Sequence, residues 1–358
     1  MKIIPCLSGL ILLAGCNAPT ETKRDEPAAR ASSESSKHGD GLRFADAAAT
    51  GAPFAEEPVL RAQVILDRIG FSPGVIDGAE GQSYVAALRG FQAANDLDES
   101  GELDAVTVRA LQPWANVAAT RLVVIPAGFA AGPFVPDFPD DAAAQATLPM
   151  LGYRNLMEAL AERFHTTPEM LVALNSPDTR IGAGRMIRVP NIADVDALPT
   201  ADDARGWGGT LQRLGVASEQ PAADKVVVDK SDSVLRVYDA EGDMIAQFPA
   251  TMGSSHDPLP IGNWTIKGVA RNPEFHYNPE LFWDVSDSKQ AELLAPGPNG
   301  PVGVVWVDLS KPHYGIHGTG EPQTIGRAES HGCVRLTNWD AARLAQMVKP
   351  GTAALFQK

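Results

Sequence analysis

The first patterned stretch of the chain has apolar residues at helical spacing. One face of its first predicted helix carries Leu60, Val64, Ile65 and Ile69. Pro58 suits the first turn of that helix, and a Gly/Pro/Asp-rich turn separates it from a second amphipathic segment, SYVAALRGFQAANDL. A third helix is predicted in LDAVTVRALQ, with Asp104 as its N-cap. The pattern predicts a three-helix bundle over residues 56–115.

A strand–helix–helix–strand pattern follows the bundle. TRLVVIP predicts a strand, and after a Pro- and Ala-rich stretch NLMEALAERFHTTPEMLVALN predicts two short helices. GRMIRVPNI predicts a second strand, so residues 120–192 are expected to form an α/β module. His165 follows Phe164 in an amphipathic segment, which favours packing or helix capping over chemistry for this histidine.

The C-terminal part of the chain changes to strand patterns rich in β-branched residues. They are KVVVD, SVLRVYD, MIAQFPATMG, IGNWTIKGVA and VVWVDL. NWDAARLAQMVKPG predicts a terminal helix with Asn338 as its candidate cap and Pro350–Gly351 as its stop. We therefore expect a mostly-β domain with a C-terminal helix over residues 224–357, and an Ala/Asp/Gly-rich linker over residues 193–223.

The N-terminus carries the pattern of an export signal. MKIIPCLSGLILLAGC places one Lys before an apolar run that ends in small residues, which predicts a secretory signal over residues 1–15. Its ending resembles a bacterial lipoprotein lipobox, which implies lipidation of Cys16, and Asn17 resembles an outer-membrane sorting residue. The alternative is an ordinary cleaved signal in which Cys16 is incidental. Residues 16–55, rich in Ala, Ser, Glu, Asp and Pro, predict a disordered tether.

These features imply a lipid-anchored protein on the periplasmic face, in the outer membrane if the cell has one. The net charge of −14 argues against a nucleic-acid partner, because phosphates need a basic surface. Only three cysteines are present. Cys6 would leave with the signal and Cys16 would carry lipid, so Cys333 would be the single free thiol in an oxidising compartment.

The residues around Cys333 are suited to a nucleophile. A thiolate needs a base or a positive field, and attack on a carbonyl needs N–H donors for the oxyanion. His317 ends a predicted strand, and we expect it to act as the base and to lower the thiol pKa toward neutrality. His331 is expected to face the same side of a strand as Cys333, and Gly332 lets a substrate approach the backbone closely.

Other roles for this cysteine fit the sequence less well. Four residues are of zinc-ligand type: His313, His317, His331 and Cys333. Pro312 and Gly315 interrupt the helix that His-x3-His spacing would need, and in a strand the two imidazoles would lie ~13 Å apart. A buried structural thiol fits poorly beside Ser, His, Gly and Arg. A papain-like site is disfavoured because no His follows Cys333. No metal or cofactor is expected.

Several motifs in these segments resemble known families. IHGTGEPQTIGRAESHGCVRLTNWD, with PATMG and PIGNWTI, resembles the catalytic domain of YkuD-type L,D-transpeptidases over about residues 224–356. GVIDGAEG, ALRGFQ and ELDAVTVRAL resemble a three-helix peptidoglycan-binding domain. ALN and IRVPN resemble a LysM-type wall-binding module, atypical in its long insertion after the first strand. The fold class implied is multidomain: a helical bundle, a LysM-like α/β module and a mostly-β catalytic domain.

The resemblance assigns a role to each site residue. It implies that Cys333 attacks the third residue of a stem tetrapeptide, that D-Ala leaves and that a thioester forms, with His317 as general base and acid. Backbone N–H groups near His331, Gly332 and Cys333 would form the oxyanion hole. Site-loop residues are Ser330, His331 and Gly332, and substrate-binding residues are Arg335, Tyr314, Gly318 and Thr319. Arg335 in a structural ion pair and Tyr314 in the core remain open alternatives.

The expected partners are peptidoglycan stem peptides and glycan, the membrane through lipid on Cys16, and no nucleic acid. Transfer to the amine of a second stem peptide would give a 3→3 cross-link. The same chemistry would also serve a lipoprotein acceptor, a free D-amino acid or water, and the motif leaves these open. A non-catalytic wall-binding lipoprotein and a zinc amidase or carboxypeptidase are the alternatives of other classes. Acylation of Cys333 by carbapenem-type β-lactams is a further expectation.

Overall fold

The computed structural model describes residues 41–48, 57–193, 204–279, 289–327, 330 and 332–358. The predicted signal, Cys16 and His331 lie outside the described residues. No described helix has the length and apolar character that crossing a bilayer requires.

The first unit is a small helical bundle. Its helices are α1 (Pro58–Arg68), α2 (Gln82–Ala94) and α3 (Ala105–Ala110). Asp104 caps α3, as its sequence position predicts, by accepting a hydrogen bond from Thr107 N at 2.8 Å. The Gln92 amide donates to Thr107 Oγ1 at 2.8 Å and accepts from Gly101 N at 2.8 Å, so this buried polar group is satisfied where α2 meets α3.

The second unit is an antiparallel three-stranded sheet with helices. Its strands are β1 (Ala45–Asp46), β2 (Thr120–Val124) and β3 (Met186–Pro190), in the order β1-β2-β3. Its helices are α4 (Ala127–Ala130), α5 (Ala142–Gln145), α6 (Leu156–Arg163) and α7 (Pro168–Leu174). The Phe44 ring packs edge-on against Phe129 and Phe164, each with a centroid distance of 5.0 Å.

Residues 41–48 are ordered in the structure, so the prediction of a disordered tether over residues 16–55 is wrong for this part of the range. The described residues 41–48 contribute β1 to the sheet, and Leu42 and Phe44 are buried in the core of the second unit. Leu42 and Phe44 alternate as in a strand, but two such positions in a polar stretch are too few to predict a strand from sequence. Pairing with β2 and burial against the aromatic core order this segment.

The third unit is built on a nine-stranded mixed sheet. Its strands are β4 (Lys225–Asp229), β5 (Val234–Tyr238), β6 (Met244–Pro249), β7 (Thr251–Met252), β8 (Gly262–Arg271), β11 (Val305–Leu309), β12 (Gly315–His317), β13 (Val334–Arg335) and β14 (Ala353–Gln357). The order is β6-β5-β4-β14-β8-β11-β12-β13-β7. A separate hairpin pairs β9 (Phe275–Tyr277) with β10 (Glu292–Leu294).

Two helices contribute to the core of this third unit. Helix α9 (Asn338–Met347) is the predicted terminal helix, but its cap is Thr337, whose hydroxyl accepts from Asp340 N at 3.1 Å. Asn338 is therefore the first helical residue and not the cap, and its side chain points elsewhere. Helix α8 (Trp207–Leu214) lies inside the predicted linker. Two glycines and several polar residues interrupt the apolar periodicity of this segment, so the sequence does not predict a helix there. Trp207 and Leu214 are nevertheless buried in the core of the third unit.

A buried ionic cluster joins the three units. Asp67 on α1 accepts hydrogen bonds from Arg343 on α9, with Nη1–Oδ1 at 3.0 Å and Nη2–Oδ2 at 2.9 Å. His165, after α6, places Nδ1 3.0 Å from Asp67 Oδ1 and Nε2 2.7 Å from the Leu214 carbonyl. Its ring stacks on Trp339 at 4.9 Å. His165 therefore packs and bonds at the junction, as predicted, and takes no part in the site described below.

Charges in this cluster are strongly coupled. Burial alone would raise the pKa of Asp67, but Arg343 and His165 hold that pKa well below its ordinary value. Burial raises the pKa of Asp340 to about 7, against the pull of Arg343. Asp340 Oδ2 also accepts from Ser72 Oγ at 2.8 Å, which adds a further link between the first and third units.

Candidate active site

Three adjacent strands bring the predicted site residues together. β12 runs antiparallel to β11 and parallel to β13, with Ile316 opposite Val334 and His317 opposite Arg335. Ile316 and Val334 point into the core of the third unit. Because side chains alternate along a strand, His317 and Arg335 share the opposite face of the sheet. The sheet register thus places a histidine and an arginine side by side.

Cys333 sits immediately before β13 at the end of the site loop. Its Sγ lies 4.0 Å from the His313 carbonyl oxygen. The loop is held by Ser330, whose hydroxyl donates to the Cys333 carbonyl at 2.6 Å and accepts from Gly253 N at 2.7 Å. Ser330 therefore fastens the cysteine loop to the end of β7.

The backbone before Cys333 differs from the predicted extended strand. Gly332 has φ +93°, which a residue with a side chain rarely adopts, and β13 begins only at Val334. A Cβ on Gly332 would also lie 2.7 Å from Tyr314 Cε1. Gly332 and Cys333 are therefore not part of an extended strand, and the expectation that His331 shares a face with Cys333 lies outside the described residues. Glycine is needed here both for the turn and for the close approach of Tyr314.

His317 is buried and oriented by its own neighbour. Its Nδ1 lies 2.8 Å from the Gly318 carbonyl, so Nδ1 carries the proton and Nε2 is the basic nitrogen. Its ring stacks on Trp306 with a centroid distance of 5.7 Å and an interplanar angle of 21°. Burial, together with the positive charge of Arg335, lowers the pKa of His317 to about 4. The imidazole is neutral at pH 7 and can accept a proton through Nε2.

The thiol of Cys333 is neutral as well. Burial raises its pKa, and the opposing effects of the Gly315 backbone and Arg335 are smaller. The expectation that His317 lowers the thiol pKa toward neutrality is therefore wrong for this structure. His317 is itself neutral and lends no positive field, and Sγ forms no hydrogen bond with its ring. The imidazole and the thiol are therefore both uncharged in this structure.

Arg335 supplies the positive charge of this face. None of the described residues forms a salt bridge with the Arg335 guanidinium. The alternative of a structural ion pair therefore has no acidic partner among those residues. Burial lowers the pKa of Arg335, while Glu321 and Cys333 oppose that shift. A half-buried guanidinium beside the thiol is suited to hold an anionic group.

Tyr314 belongs to both the core and the site. Its half-buried ring packs against the core of the third unit, touches the Gly332 position, and lies 5.7 Å from Lys311 Nζ. The two open alternatives for Tyr314, pocket wall and packing, are therefore not exclusive. Thr319 is buried, and its hydroxyl accepts from Glu321 N at 3.2 Å, which orders the next loop.

Sequence reasoning missed Trp306 and Gly315. Trp306 lies opposite His317 on β11 and stacks on its ring. A Cβ on Gly315 would lie 2.5 Å from the Trp306 indole, so glycine lets the indole lie across β12. The alternating pattern of VVWVDL places Trp306 on the face away from the buried valines, which is the one sequence signal that pointed to it.

Among the described residues, no three His, Cys, Asp or Glu side chains are clustered as a metal site would need. The atom of His313 that approaches Cys333 Sγ is the backbone carbonyl oxygen and not a ring nitrogen.

Two family descriptions match this chain. "L,D-transpeptidase catalytic domain" (YkuD) matches residues 223–355, and "Putative peptidoglycan binding domain" matches residues 55–111. The chain carries a YkuD-type L,D-transpeptidase catalytic domain. The helical bundle ahead of it is a peptidoglycan-binding domain. No such match assigns the second unit, whose likeness to LysM stays a prediction.

The chain is also similar to individual L,D-transpeptidases and to a solved structure. The chain is 28% identical over 198 residues to "Putative L,D-transpeptidase YkuD" of Bacillus licheniformis, covering 55% of this chain and 90% of that protein. It is 27% identical over 168 residues to "Probable L,D-transpeptidase YbiS" of Escherichia coli, covering 45% and 54%. The crystal structure of L,D-transpeptidase 3 from Mycobacterium tuberculosis matches with a TM-score of 0.32 and 20% identity, over 38% of this chain and 62% of that one.

Proposed function

We propose that this protein is a peptidoglycan L,D-transpeptidase that works through a thioester on Cys333. The observation that carries the proposal is the fixed imidazole of His317, whose Nδ1 is bound to the Gly318 carbonyl and whose Nε2 is left to accept a proton. Arg335 shares its sheet face, and Cys333 lies one residue before the strand that bears Arg335. We therefore propose that a nucleophile, a base and a cation act together on one side of the sheet.

The reaction has two balanced halves. In the first, the Cys333 thiol proton moves to His317 Nε2 as Sγ attacks the carbonyl carbon of the third stem residue. The tetrahedral intermediate collapses when His317 returns that proton to the amide nitrogen of D-Ala, which leaves, and a thioester remains. In the second, an acceptor amine attacks the thioester carbonyl carbon and gives a proton to His317. The bond between that carbon and Sγ breaks, His317 returns the proton to Sγ, and the thiol is regenerated.

The surrounding residues support distinct parts of this scheme. The backbone N–H groups of the loop around Gly332 and Cys333, with His331, are proposed to hold the oxyanion. Arg335 is proposed to hold a substrate carboxylate, because a guanidinium binds carboxylates in bidentate fashion. Tyr314, which packs beside Gly332, and the backbone at Gly318 and Thr319 are proposed to border the substrate.

The other units are proposed to hold the enzyme at its polymer. A peptidoglycan-binding domain raises the effective concentration of the catalytic domain at an insoluble wall. Lipid on Cys16 would add a membrane anchor on the periplasmic face, and a LysM-like second unit would add contact with glycan. A lipoprotein acceptor, a free D-amino acid or water in place of a second stem peptide would use the same thioester.

The deciding experiment incubates purified full-length protein in detergent with disaccharide-tetrapeptide and follows products by mass spectrometry. We expect a 3→3 dimer and free D-Ala from wild type and neither from Cys333→Ala. D-Ala release without dimer would assign hydrolysis, and addition of a free D-amino acid would then test exchange. No D-Ala release from a wild type that still binds wall sacculi would support the non-catalytic alternative.

A second experiment tests the nucleophile directly. Carbapenem treatment should add one covalent adduct to intact wild type and none to Cys333→Ser, read by intact-mass spectrometry. An active enzyme without an adduct would contradict the assignment of the pocket. Loss of activity on thiol alkylation, together with insensitivity to a chelator, would exclude the zinc alternative.

A further inference from the structure

Asn338 has a buried side chain whose function capping does not explain. Thr337 caps α9, so the amide of Asn338 is free to turn toward the site loops. Its Nδ2 donates to the Pro298 carbonyl at 3.0 Å and to Glu162 Oε1 at 3.0 Å. Its Oδ1 accepts from Val304 N at 3.2 Å. Both ends of the amide are therefore satisfied in a single orientation.

The amide oxygen lies against the backbone that holds the catalytic histidine. A Cβ on Gly318 would lie 2.3 Å from Asn338 Oδ1, and a Cβ on Gly303 would lie 2.0 Å from the same atom. Gly318 N in turn donates to the Val302 carbonyl at 3.1 Å. Because Gly303 and Gly318 have no side chain, the Asn338 amide fits against both of them. Asn338 is therefore in direct contact with Gly318, whose carbonyl accepts a hydrogen bond from His317 Nδ1.

Glu162 fixes the orientation of this amide from a different unit of the molecule. Glu162 lies on α6, and its Oε2 forms a hydrogen bond with the Tyr153 hydroxyl at 2.8 Å. Burial raises the pKa of Glu162 to about 8, so the group is neutral at pH 7 and its burial costs less than that of a carboxylate. Reversing the Asn338 amide would set Nδ2 against the Val304 N–H and Oδ1 against the Pro298 carbonyl, which the contacts forbid.

We propose that Glu162 is a positioning residue for the catalytic histidine, acting through Asn338 on the Gly303 and Gly318 backbone that holds His317. The second unit would then contribute to the reaction and not to wall attachment alone. This inference rests on the proposed function, since it assumes that His317 is the base that serves Cys333.

The test compares reactivity with stability in matched variants. Glu162→Leu removes the acceptor, Glu162→Gln retains a neutral hydrogen-bonding group of the same size, and Asn338→Ala removes the amide. Ser72→Ala is the control, because it breaks another buried hydrogen bond to α9 without touching Asn338. For each full-length variant, the rate of Cys333 acylation by a carbapenem is measured well below its melting temperature, and the tautomer of His317 is read by nitrogen NMR.

We expect Glu162→Leu and Asn338→Ala to acylate at least ten-fold more slowly at saturating drug, with little change in half-saturation, and to lose the pure Nδ1–H signature of His317. Glu162→Gln should restore both, and Ser72→Ala should change only the melting temperature. If Glu162→Leu fails to fold, Asn338→Ala and Glu162→Gln decide alone. Wild-type rates and tautomer in Asn338→Ala would overturn the inference. A wild type that is never acylated would instead overturn the proposed function.

Discussion

His165 and His317 are both buried and both stack on a tryptophan, but they lie in regions with different chemistry. At the junction of the three units, His165 has oxygen atoms beside both ring nitrogens, Asp67 Oδ1 at 3.0 Å and the Leu214 carbonyl at 2.7 Å. Burial lowers its pKa while Asp67 opposes that shift. With both nitrogens engaged, this ring is a structural link.

In the candidate active site only one nitrogen of His317 forms a hydrogen bond with a described residue. Nδ1 donates to the Gly318 carbonyl, and across the part of the chain that the structure describes no group forms a hydrogen bond with Nε2. Burial and stacking therefore do not distinguish a base from a packing residue. What distinguishes them is a nitrogen held in a fixed direction and left to the substrate.

The largest effect should separate the two histidines. His317→Gln should slow acylation of Cys333 by roughly 10²–10⁴-fold, because the general base is lost. His165→Gln should leave that rate unchanged per folded molecule while lowering the melting temperature. Stopped-flow acylation and thermal denaturation measure the two quantities. Equal slowing in both variants would show that the junction histidine is coupled to the chemistry after all.

Substitutions at the junction of the three units should lower the free energy of unfolding more than substitutions at the candidate active site. Asp67→Asn leaves Arg343 and His165 buried with a weaker partner, and we expect a loss of roughly 3–5 kcal/mol in the free energy of unfolding. Chemical denaturation of the full chain measures it. Asp104→Asn, at an exposed helix cap of the same helical bundle, is the control and should cost far less. A small change at Asp67 would mean that the ionic cluster contributes little net stability.

Stability should also depend on pH through Glu162. Its pKa is about 8 in the folded chain against an ordinary 4.5, so the folded state keeps a proton that the unfolded state releases. The associated stability is present below pH 4.5 and is lost as the pH rises through about 8, with a slope of at most about 1.4 kcal/mol per pH unit.

Glu162→Gln should flatten that slope in denaturation curves taken from pH 5 to pH 9. Part of the slope should remain, because Asp340, with a pKa near 7, acts in the same direction. An unchanged slope in the variant would show that Glu162 is ionised in the folded protein.

The smallest expected effect concerns Arg335. Its charge contributes to the low pKa of His317, so Arg335→Gln should raise that pKa above about 4. The acid limb of the pH–rate profile for Cys333 acylation should then move to higher pH, by roughly one unit or less. An acid limb that stays in place would indicate that burial alone sets the pKa of His317.

Local sequence patterns predicted much of the architecture. Pro58 begins α1, Asp104 caps α3, and the terminal helix ends before Pro350, because these features depend on neighbouring residues. Where long-range pairing decides the structure, the patterns failed. Phe44 is ordered only by β2 and the aromatic core, and α8 is recognisable only from the residues it buries.

The features of the candidate site also fall into those that the sequence predicts and those that depend on long-range contacts. The sequence by itself determined the residue types of the chemistry, since a lone thiol near histidines, a glycine and an arginine has few other uses. Only the tertiary structure decided that the thiol is neutral, that Trp306 supports His317, and that Asn338 turns from capping to contact with Glu162. Those outcomes depend on burial and on distances between residues far apart in the chain, which a sequence pattern does not encode.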